Sequence, residues 1–136
     1  MEDPKPERLR PHPESRFAAP QHSLNLDEVA SRLSRELQAG EAGHRQETLY
    51  KRGSLSVSLF LFGHLTRLAP HRAKGVVTIQ VLKGRLQVTA EGQAHDLHTG
   101  HLLVLAPGVE HDVVAREESQ MLLTVCLDTT KTQPSS

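Results

Sequence analysis

Apolar positions recur first at helical spacing. Leu26, Val29, Ala30, Leu33 and Leu37 follow an i, i+3, i+4, i+7 pattern, which places them on one face of a helix. Asn25 stands before this stripe as a cap, Glu28 follows three residues later, and Gly40 supplies a stop. The pattern predicts one short amphipathic helix that packs on the outside of a domain or on a partner subunit. From about residue 47 the period falls to two, the mark of half-buried strands. Leu55, Val57, Leu59 and Leu61 alternate with Ser54, Ser56, Ser58 and Phe60; Val77, Ile79 and Val81 alternate with Thr78, Gln80 and Leu82; Leu86 and Val88 alternate with Arg85, Gln87 and Thr89. Further strands are expected at Ala94–Leu97, Leu102–Leu105, His111–Ala115 and Gln120–Leu127, with Gly84 and Gly92 marking turns. Seven or eight short strands without a second helix predict an all-β sandwich or jelly-roll barrel.

Composition sets the domain limits. Residues 1–22 carry Pro4, Pro6, Pro11, Pro13 and Pro20 among charged residues, too little apolar surface to offset ordering. We therefore expect a flexible tail at 1–22, a helix and linker at 23–46, a barrel at 47–129 and a flexible C-terminus at 130–136. Aromatic residues make up 3% of the 136-residue chain, so aliphatic side chains must fill the core. On this reading the outer face of one strand presents Phe60 and Phe62, which favours a homodimer.

Charge and cysteine usage remove several classes of function. Sixteen basic and sixteen acidic residues cancel, so no net field draws nucleic acid or an anionic membrane. Apolar runs such as Leu59–Phe62 are far short of a membrane span, and the N-terminus lacks the apolar stretch of a signal peptide. The expected location is the cytoplasm. Cys126 is the single cysteine and lies in an apolar strand pattern, so it reads as a packed thiol. Nucleophile elbows, phosphate loops and paired-cysteine zinc motifs do not occur.

The candidate chemistry centres on Gly100–His111, GHLLVLAPGVEH, where a strand runs into a Pro-Gly turn and then a histidine. With Gly100, Pro107, Gly108 and His111 at their spacing, the segment resembles the second conserved motif of the cupins, and the likeness extends over roughly Ser54–Leu127. The resemblance implies a double-stranded β-helix, the cupin jelly-roll barrel, preceded here by one short α-helix. The family's first motif places His-x-His and a glutamate ahead of a glycine. Counting back from Gly84 puts those positions at His71, Ala73 and Val77. Two of the four metal ligands implied by the family are thus replaced, and His71 and His111 remain.

Several functions stay open on these residues. The first is a small single-domain cupin that binds a small molecule, with His71, Val77, Ile79 and His111 facing the ligand. Its cofactor would be absent, or a weakly held divalent zinc, nickel, iron or manganese ion on His71 and His111. The second is a metal-dependent dioxygenase or isomerase that adds a ligand from outside the family pattern, such as His64. The third is a structural or regulatory dimer with a barrel filled by Val77, Ile79, Val88 and their neighbours. Arg67, Arg72 and Lys74 lie near His71 and offer charge to an acidic ligand. A sugar-epimerase role, by family resemblance, would need an aspartate beside the histidine; Asp112 should point to the opposite face, and Asp96 lies on another strand. His44 precedes the first expected strand, while His95 and His101 are expected on strands, with His98 in the loop between.

Overall fold

A computed structural model of the protein describes residues 20–36 and 43–128. Most of the expected tail, the expected C-terminus, Leu37 and Gly40 lie outside the described residues. Helix α1 spans Leu26–Ser34, and its cap is as expected: the Asn25 side chain accepts a hydrogen bond from the Glu28 amide at 3.1 Å. Nine strands follow: β1 His44–Arg52, β2 Leu55–Phe62, β3 Arg67–His71, β4 Gly75–Lys83, β5 Arg85–Ala90, β6 Gln93–His98, β7 Leu102–Leu105, β8 His111–Ala115 and β9 Ser119–Leu127. They form two antiparallel sheets, ordered β1-β2-β9-β4-β7 and β3-β8-β5-β6. The result is a jelly roll.

Three elements differ from the pattern read in the sequence. Helix α1 ends at Ser34 with Arg35 as its cap, short of the expected stop at Gly40. Strand β1 starts at His44, inside the expected linker. Strand β3 has no apolar alternation and contains Pro70; an edge position tolerates the missing N–H, because only one side of the strand must pair.

The two faces of β2 are also assigned differently from the sequence reading. Phe60 and Phe62 are 5% and 3% exposed and lie inside the barrel, not on its outer face. Leu59 and Leu61 face outwards, where Val29, Ala30 and Leu49 cover them beneath α1. Both faces of β2 are therefore buried, so its period could not reveal which one faced the barrel. Strict alternation then brings Ser56 and Ser58 to the inner face with Phe60. The barrel floor is filled by Ile79, Val81, Leu86, Val88 and Val113, each at 0 or 1% exposure.

Under α1, Arg32 donates to both carboxylate oxygens of Glu47, at 2.9 and 3.1 Å. Cys126 is exposed rather than packed. Its place in β9 is on the outward face, opposite Val76, beyond the reach of α1. Among the described residues, no helix is long and apolar enough to cross a membrane.

Candidate functional site

The two histidines singled out by spacing meet at one end of the barrel. In register, Leu68 of β3 lies opposite Val113 of β8, and His71 lies opposite His111. Three steps on β3 therefore match two on β8. The extra residue at Ala69–Pro70 is a β-bulge, and it brings His71 to the same inner face as Leu68. Without that bulge, parity would turn the side chain at 71 outwards. The ring centroids of His71 and His111 are 4.3 Å apart with planes tilted by 59°.

Both imidazoles are held in the same way. His71 Nδ1 lies 3.0 Å from the Ala69 carbonyl, and His111 Nδ1 lies 3.1 Å from the Val109 carbonyl. A carbonyl oxygen only accepts, so each Nδ1 carries the proton. When such a ring is neutral, Nε2 is left as an acceptor. Exposure separates the two: His71 is open to solvent, whereas His111 is 3% exposed. Burial holds His111 below the ordinary histidine range, and the charge of His71 adds to that, against the opposing Val109 hydrogen bond and the charge of Asp112.

The Pro-Gly turn borders this pair at the barrel end. Gly108 adopts φ of 82°, a conformation that favours glycine, and its amide donates to the Ala73 carbonyl at 2.9 Å. Arg72 donates to the Gly108 carbonyl and pairs with Glu110 at 3.4 Å. These contacts hold the segment carrying Ala73 against the loop before His111. Ala73, Val109 and Val125 are partly buried around the rim, and Val77 is 3% exposed just below it. Ile79, expected to face a ligand, is fully buried and supports the site from beneath.

The remaining candidates lie elsewhere. His64 sits in the β2–β3 turn, next to Leu65, whose amide bonds Ala115 at 2.9 Å. That is the far end of β8 from His111. His44 is also distant, stacked on Phe60 at 5.7 Å. His95 shares the inner face with Leu97, yet it lies opposite Val88, two strands from His111 and roughly 10 Å across the sheet. His98 ends β6 and His101 lies just outside β7, the reverse of the expected placement; the tight turn at Gly100 leaves His101 Nδ1 accepting from the His98 amide at 2.9 Å. Asp96 faces outwards in a forked pair with Arg85, so it gives His111 no carboxylate. Sequence reasoning missed Ser56 and Ser58, which the reversed face of β2 brings inside with Thr48, 3.4 Å from Ser58.

The cupin metal set does not fit these residues. Two imidazoles are present, and apolar Ala73 and Val77 stand where the other two ligands would be. Among the described residues, no group of three or more His, Cys, Asp or Glu side chains is placed to hold a metal ion.

Comparison with known proteins agrees with the geometry. The family model described as "Cupin domain" matches residues 64–127. Residues 64–127 are a cupin domain. A search of curated proteins found no match. Among solved structures, the cupin barrel is similar to a conserved protein of unknown function from Streptococcus pyogenes, 24% identical, with a TM-score of 0.65, covering 81% of this chain and 92% of that one. It is similar to a cupin superfamily protein from Desulfitobacterium hafniense, 21% identical, TM-score 0.63, covering 71% and 88%. It is also similar to salicylate 1,2-dioxygenase from Pseudoaminobacter salicylatoxidans, 14% identical, TM-score 0.67, covering 83% of this chain and 41% of the enzyme. At these identities the likeness concerns the fold.

Proposed function

We propose that this cupin binds a small molecule at the barrel mouth, against His71 and His111, and that it does so without a tightly held metal. The observation that carries this reading is the paired imidazoles beside a rim of Ala73, Val77, Val109 and Val125. An apolar wall with a few convergent polar groups is the usual make-up of a small-molecule site. Replacing a carboxylate by Val77 also removes the charge that would offset a buried divalent cation. The filled floor limits the ligand to the mouth, so it is small. A metal-dependent dioxygenase or isomerase is the weaker reading, because the structure sets His64 apart from the pair. We also infer a homodimer and a cytoplasmic setting, the latter because an exposed free thiol at Cys126 suits a reducing compartment.

Metal analysis of untagged protein tests the reading. Substoichiometric metal, unchanged in His71→Ala and His111→Ala, is the expected result. Near-stoichiometric metal lost in both variants would overturn it.

A further inference from the structure

The mouth carries a sharper chemical preference than its shape alone. Both Nδ1–H groups are committed to backbone carbonyls, which fixes the tautomer of each neutral ring. Among the described residues, neither Nε2 has a hydrogen-bond partner, and His111 Nε2 is not among the buried atoms left without one. The pair thus presents two acceptors side by side. An acceptor pairs only with a donor, and a carboxylate brings none.

Charge narrows the choice further. Arg72, the cation next to His71, is engaged with Glu110 and the Gly108 carbonyl. Arg67 lies opposite Val114, on the outward face of β3. An ammonium group meets Ala73 and Val77 where a carboxylate would be needed, and its desolvation would not be offset. Ser56 and Ser58 add hydroxyls to the inner face of β2. Lys51, exposed and opposite Ser56 in register, and Lys74, exposed beside Ala73, are the charges on this side that would favour an anion, and among the described residues neither has a partner that fixes it over the imidazole pair.

Resting on the small-molecule reading above, we propose that the ligand is a neutral, largely apolar molecule bearing a hydroxyl donor, of the phenol or alcohol class, whose O–H donates to Nε2 of His71 or His111. Metal plays no part in this binding.

The test uses full-length protein kept at about pH 8 in chelator, with NMR titration of four probes of one ring size: phenol, anisole, benzoate and benzylammonium. Phenol should shift amides of residues 71–77 and 108–113, and bind about tenfold more tightly than anisole, which lacks the donor, the equivalent of one hydrogen bond. His71→Phe or His111→Phe should erase that difference while leaving a folded amide spectrum. Long-range proton–nitrogen spectra of the unmodified protein give an independent readout: both rings should be protonated at Nδ1, and an Nε2 resonance should move with phenol alone. Equal binding of phenol and anisole, or stronger binding of benzoate or benzylammonium, would overturn this inference and leave mouth binding standing. No shift with any probe would overturn both. A requirement for added zinc or nickel would also overturn it.

Discussion

His111 is taken out of water at 3% exposure, with a backbone carbonyl as its hydrogen-bond partner. Burial depresses its folded value below the ordinary 6.5, so between the two values the unfolded chain binds the proton more readily. The contribution of the neutral ring to stability is therefore full above about pH 6.5 and is lost as pH falls through the folded value. Urea midpoints at about pH 7.5 and pH 5 should drop further in the wild type than in His111→Gln, which has no such titration. Equal drops in both proteins would show that burial does not control this group. The positions of His71 and His111 were legible in motif spacing, as was the loss of two family ligands at Ala73 and Val77. Their common tautomer was not, because it depends on carbonyls presented by a bulge and a turn. Ala69–Pro70 carries no sign in sequence that it will rotate His71 inwards.

Among the elements, α1 was legible to its cap because helix signals are local: a side-chain acceptor, an acidic first turn and a regular stripe. Strand β3 was not, since an edge strand needs neither apolar alternation nor a full set of N–H groups. The faces of β2 were ambiguous for a different reason, because α1 buries one and the barrel the other. Beside the buried Val29, Ala30 and Leu33, α1 is held by the forked pair between Arg32 and Glu47, whose carboxylate is 2% exposed. A charged group held this deep depends on its donors, although Arg32 itself is a quarter exposed and water partly substitutes for it. Arg32→Ala should cost about 1–3 kcal/mol in urea denaturation, and Arg32→Lys should fall between, keeping the charge but losing the planar fork. A change in Arg32→Ala below about 0.5 kcal/mol would reduce the pair to an ordinary surface contact.

At the scale of the whole molecule, the described residues cover the outer face of the five-stranded sheet on one half only. Helix α1 seals the β1–β2 side through Leu49 and Leu59, while Val76, Leu102 and Val104 stay 39%, 58% and 57% exposed on the β4–β7 side. These residues, and not Phe60 and Phe62, now carry the case for a homodimer. Strand β7 lies at the sheet edge, so its outer N–H and C=O groups are available to another strand. A second copy related by a two-fold axis would satisfy both needs at once, with β7 pairing antiparallel with its own counterpart and Leu102 and Val104 meeting their equivalents. The arrangement leaves the His71–His111 mouth of each barrel to its own ligand, because β3 and β8 belong to the other sheet. Sedimentation at micromolar protein should show a dimer, and Val104→Glu should convert it to a folded monomer by placing like charges across the axis. A monomer in the wild type at about 100 µM would be incompatible with pairing through this face, as would a dimer that Val104→Glu leaves intact.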